Sequence, residues 1–122
     1  MSDKTENKSV LKSKSYDFAL RIINLYKYLV ESKKEFILSK QLLKSGTAVG
    51  ALIREAEFAQ SKKDFVSKMS IALKEANETN YWIDLLKDSK YLEKKEYESI
   101  NDDVKELIKM LVSTIKTSKK NL

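Results

Sequence analysis

Arg54, Glu55, Glu75 and Glu78 form the grouping in this sequence with the clearest chemical potential. Carboxylates carried on adjacent helices can hold a divalent cation or share a proton. The same four charges can instead form structural ion pairs that fix helix register or subunit orientation, and that is the reading adopted. The deciding fact is what the chain lacks, for among its 122 residues there is no histidine and no cysteine. Ser-His-Asp and Cys-His catalysis are excluded, as are the Glu-x-x-His pairs of di-iron bundles and the histidine that helical-bundle ribonucleases of the HEPN type require. Disulfides and thiolate metal sites are excluded too. A protein without catalytic residues, metal or cofactor is therefore expected. A metal-dependent enzyme built on Glu55, Glu75 and Glu78 is the alternative, and it would have to retain metal through purification.

A second chemistry is open to the lysines. Lys62 and Lys63 open a helix, where the macrodipole disfavours cations, so an anion such as a phosphate would compensate them there. Two solvated lysines beside Asp64 are the plainer explanation of the same pair. With Lys40 and Lys44 they make the candidate contacts to a nucleic-acid backbone. The net charge of +6 is unevenly spread: residues 1–15 carry +2, residues 116–122 carry +3, and the 100 residues between them only +1. Basic termini can gather nucleic acid by counterion release.

The elements that must position these groups are helices. Proline is absent and glycine occurs twice, which leaves sheet architectures little turn chemistry. Apolar positions at helical spacing predict helices over about 16–33, 36–60, 62–88 and 93–116, the third capped by Ser61 with Asp64 three residues on. Residues 1–14 read as a disordered basic tail, 15–117 as the bundle and 118–122 as a second basic tail. Short connectors favour an all-α, antiparallel up-down-up-down four-helix bundle. No apolar run approaches the ~18 residues of a membrane span, and the start of the chain lacks the apolar core of a signal peptide. A cytoplasmic protein with no membrane partner is expected.

Two of these helices carry apolar residues on two sides. On the second, Leu43, Ala51 and Phe58 lie opposite the stripe of Leu42, Val49 and Ile53; on the third, Ile71, Trp82 and Leu85 lie opposite the core. The first and fourth are mostly one-sided. A second apolar face needs a second burial partner, and another subunit is the expected one. Gly46 and Gly50, four apart within "SGTAVGALIREAEF", are read as part of that interface, where a missing Cβ lets a neighbouring helix approach. Relief of crowding inside one subunit is the alternative.

The run "SGTAVGALIREAEFAQSKKDFVSKMSIALKEANETNYWIDLL", 45–86, resembles the four-helix-bundle proteins encoded in intervening sequences of bacterial 23S ribosomal RNA genes. Gly46, Gly50, Ile53, Arg54, Glu55, Ala56, Ser61, Lys62, Phe65, Ala72, Glu75, Ala76 and Glu78 match that family's pattern. One departure is Leu52, where the family usually has asparagine, so an apolar side chain stands on the core stripe in place of a polar one. The resemblance implies a left-handed bundle assembling into a ring, typically a homopentamer. It also implies kinship to the accessory factor of diversity-generating retroelements, a barrel-shaped pentamer that binds nucleic acid and associates with a reverse transcriptase. The function expected is a homo-oligomeric accessory protein binding RNA or DNA through backbone charge, with a reverse transcriptase or another protein as a further partner. A structural or protein-docking oligomer with no nucleic-acid role is the alternative.

Overall fold

The computed structural model describes residues 3–120, with side chains from Lys8 onward. Four helices follow one another: α1 (Asp3–Glu31), α2 (Leu38–Glu57), α3 (Lys62–Asp88) and α4 (Lys94–Lys119). α1 packs on α2, α2 on α3, α3 on α4 and α4 back on α1, and among the described residues the backbones of the two diagonal pairs stay farther apart. This is the antiparallel up-down-up-down bundle that short connectors dictate.

The core is one apolar column. Phe18, Ile22 and Leu29 of α1, Leu42 and Val49 of α2, Met69, Ala76 and Ile83 of α3, and Val104, Leu107 and Leu111 of α4 are all buried. Polar groups inside it are few, and most are matched; among the described residues the side-chain oxygens of Asn80 and Asn101 are buried without a hydrogen-bond partner. The Ser45 and Thr79 hydroxyls hydrogen-bond at 2.9 Å across α2 and α3. Tyr97 donates to Asp84 at 2.8 Å across α3 and α4. That hydrogen bond, with burial, holds the Tyr97 phenol above its ordinary value.

α3 begins and ends where the sequence places it. Ser61 Oγ accepts from the Asp64 amide at 3.0 Å, and the Asp64 carboxylate accepts from the Gln60 amide at 3.2 Å. The entry to α2 is different, because no Ser, Thr, Asp or Asn caps it. Glu35, buried, folds back onto the helix end and accepts from the amides of Ile37, Leu38 and Ser39 at 3.2, 3.0 and 2.7 Å. The Ser39 hydroxyl returns a bond to the Glu35 carbonyl at 2.7 Å. Lys34 and Lys90, at φ 56° and 71°, supply the left-handed turns that reverse the chain after α1 and after α3.

Burial alone would raise the Glu35 carboxyl. The hydrogen bonds from Ser39, Leu38 and Ile37 outweigh it, and the group sits below its ordinary 4.5. A carboxyl lowered on folding stabilises fully above its unfolded value, and the contribution disappears as pH falls through the folded one. Glu35→Ala is therefore expected to cost about 1–2 kcal/mol near pH 7. The gap between variant and wild type, read by urea unfolding, should close as the pH is taken below 4.5. A gap that is independent of pH would mean that the side chain acts by packing.

Both tails are shorter than expected. Leu11 is fully buried, seven residues before Phe18 on the same stripe, and residues 8–14 are helical. Polar neighbours conceal this turn in the sequence, since Leu11 is its only core member. Lys12 pairs with Glu57 at 2.9 Å and Lys14 with Glu106 at 2.6 Å, so the segment is tied to α2 and α4. At the other terminus α4 continues through Lys119 and Ser118 is buried. Residues 3–14 and 118–119 are thus helical and Lys120 is a turn; positions 1, 2, 121 and 122 lie outside the described residues.

Candidate nucleic-acid and assembly surfaces

Gly46 is buried and Gly50 half-buried. Both point at α1. A Cβ on Gly46 would stand 2.8 Å from both Ile22 γ-carbons, and one on Gly50 would stand 3.3 Å from the Ser15 carbonyl oxygen. The missing side chains let α1 and α2 approach within the subunit, the alternative to an interface role, and Gly50 also lines the open groove along the α1–α2 seam. The wheel places them at the margin of the core stripe, and it cannot say which helix lies beyond that margin.

Two of the four charges of the expected ion pairs meet other groups within the subunit. Arg54 stacks over Tyr16 at 5.8 Å, and Glu78 accepts from the Trp82 indole at 3.2 Å. Among the described residues, none of Arg54, Glu55, Glu75 and Glu78 takes part in an ion pair within the chain. The bridges that do cross between helices are Lys12–Glu57, Lys14–Glu106 and Arg21–Asp103. Among the described residues no three acidic side chains converge on a metal-binding position, and no helix is long and apolar enough to cross a membrane.

The remaining interface candidates divide. Phe58, just past the end of α2, is 77 % exposed, and Ile71 is 43 % exposed. Leu43 and Trp82 are half-buried against their own core, and Leu85 is half-buried. Tyr81 meets Trp82 edge to face at 5.1 Å. The periodic reading missed α1, whose Tyr16 and Leu20 are 54 % and 46 % exposed, so this helix too has a second apolar side. Together Tyr16, Ala19, Thr47, Gly50, Ala51, Arg54 and Phe58 line a groove along the α1–α2 seam. Pattern alone could have flagged Tyr16 and Leu20, four apart and opposite Phe18 and Ile22. Ile37, 75 % exposed in the α1–α2 connector, carries no such signal.

The four candidate lysines do not converge. Lys62 and Lys63 are exposed at the start of α3, whereas Lys40 and Lys44 are exposed on the first turns of α2, at the other end of the bundle. At about 1.5 Å per residue, the length of α2 separates the two pairs by roughly 25 Å. What joins Lys62 and Lys63 is a charge concentration that the chain order hides. The start of α1, the α2–α3 connector and the end of α4 meet at one end of the bundle, as Lys12–Glu57 and Lys8 over the Phe65 ring at 4.5 Å show. Residues 8–14, 54–68 and 106–120 carry eleven Lys and Arg against four Asp and Glu. The opposite end, residues 24–44 and 84–98, carries nine against seven. The excess of positive charge therefore belongs to one end of the folded bundle. A helix N-terminus, α3, also opens there.

Residues 7–113 match the family model described as 23S rRNA-intervening sequence protein. The chain is also similar to a protein of unknown function from the S23 ribosomal protein family of Bacteroides thetaiotaomicron VPI-5482, solved by crystallography. The two share 57 % identity and a TM-score of 0.89, over 90 % of this chain and 98 % of that one. No curated protein matches. Neither the family description nor that of the solved protein names an enzymatic activity.

Proposed function

Since this chain belongs to the 23S rRNA-intervening sequence protein family, we propose that it is a non-enzymatic, cytoplasmic homo-oligomer that binds RNA or DNA through the phosphate backbone, without sequence readout. The observation that carries this reading is the basic end of the bundle, eleven cationic side chains against four acidic ones. Three of those four acids are already engaged by Lys12, Lys14 and Lys68. The ring of five comes from the family resemblance. Cyclic symmetry keeps every subunit pointing the same way, so the basic ends would share one rim and their fields would add.

A second reading keeps the oligomer and drops the nucleic acid. The exposed Phe58, Tyr16 and Leu20 favour it, because the same apolar groove could hold a helix of another protein, a reverse transcriptase among them. Light scattering on a sizing column, with absorbance at 260 and 280 nm, separates the readings. The expected result is a mass about five times 14.1 kDa, carrying nucleic acid that salt near 1 M strips away by screening. A clean oligomer at low salt would favour the docking reading. A monomer would overturn both.

A further inference from the structure

We propose that the subunits join head to tail, the α1–α2 groove of one copy receiving the outer strip of α3 from the next, with Arg54 paired to Glu78 across the contact. This deepens the homo-oligomer reading above and rests on it.

The two surfaces are unlike and complementary. The groove has a small-residue floor at Gly50 and Ala51 and walls from Tyr16 and Phe58. The strip presents Ile71, Trp82 and Leu85 with Glu75 and Glu78 between them, steps of four, three, four and three that align them along one side of α3. That strip is about 21 Å long at 1.5 Å per residue. The stretch of α2 from Thr47 to Phe58 spans about 16 Å on the same measure, and the groove wall continues along α1.

Charge selects the pairing. Lys12 and Arg54 line the groove with Glu55 as the acid among them, while the strip offers Glu75 and Glu78 with Lys74 beside them. Groove on groove would oppose cation to cation, and strip on strip carboxylate to carboxylate. Groove on strip instead gives each a counter-charge, and it supplies the partners that Arg54 and Glu78 lack as ion pairs within the chain. A contact between two different surfaces is heterologous, so it repeats from copy to copy and forms a ring where the rotation per subunit closes. Gly50 then has two roles: it admits α1 on one side and keeps the groove floor low on the other.

A charge swap tests this on the intact protein. Arg54→Glu and Glu78→Arg each replace attraction by repulsion, and each should weaken assembly tenfold or more, read by sedimentation or light scattering across a dilution series. The double variant Arg54→Glu/Glu78→Arg restores the pair in reverse and should reassemble. Arg54 is exposed and Glu78 partly exposed, bonded to the Trp82 indole, and circular dichroism would check that each variant keeps its helices. An oligomeric wild type whose single variants stay assembled would overturn the pairing while leaving the oligomer standing. Single variants that dissociate without rescue in the double would also overturn it. A monomeric wild type would overturn the oligomer reading itself.

Discussion

Gly46→Ala is expected to destabilise the protein by about 1–3 kcal/mol, although alanine is the better helix former by about 0.8–1 kcal/mol. The new Cβ would fall 2.8 Å from both γ-carbons of Ile22, which is itself fully buried and cannot turn aside. Either the Ile22 rotamer strains or α1 lifts from α2, and both cost packing. Gly50→Ala meets the Ser15 carbonyl at 3.3 Å and gains the same propensity, so its effect should be much smaller. The decisive measurement is a double-mutant cycle in urea at fixed protein concentration. Ile22→Ala alone should cost about 2–5 kcal/mol. Combined with Gly46→Ala it should cost clearly less than the sum, because the methyl then occupies part of the space left behind; coupling of 0.5–3 kcal/mol is the usual range for touching residues. Strict additivity would show that Gly46 does not act through Ile22.

The second large effect concerns salt. If each oligomer neutralises about six phosphates, affinity for a duplex should fall about a thousandfold between roughly 50 and 200 mM salt. Lys62→Glu/Lys63→Glu reverses the charge of the α3 entry in every subunit and should abolish binding to a fluorescent oligonucleotide. The control is Lys94→Glu/Lys95→Glu at the start of α4, the same change in net charge at the far end of the bundle, which should retain most of the affinity. Equal loss in both variants would mean that net charge governs binding and that the basic end has no special part. Binding indifferent to salt and to Lys62→Glu/Lys63→Glu would remove the nucleic-acid reading.

How much of this was legible beforehand depends on whether the signal was local. Ser61 and Asp64 announce the start of α3 because a cap lies within four residues of sequence. The apolar stripes of α2, α3 and α4 are local too, and they specify the bundle. Leu11 was hidden because two adjacent apolar residues, Val10 and Leu11, among lysines and serines make no period. Glu35 was hidden because a glutamate reaching back over an α2 entry that lacks a Ser or Asp has no pattern to match. The glycines were visible, but their partner was not: which helix fills the space above Gly46 is a tertiary fact. The same holds for charge. Lys8, Lys62 and Lys119 are distant in sequence and neighbours only after four helices have been folded against one another, whereas Lys40 and Lys62 look alike on a wheel and stand at opposite ends.

The α1–α2, α2–α3 and α3–α4 contacts each join neighbours in the chain, so they require only short loops to close. α1 on α4 is the exception, a smaller contact that spans nearly the whole chain and whose ion pairs, Arg21–Asp103 and Lys14–Glu106, are half exposed. A chain of this kind folds quickly, by successive hairpins, because so few of its contacts are remote in sequence. The α1–α4 seam, the smallest of the four contacts, is expected to form last on folding and to part first on unfolding.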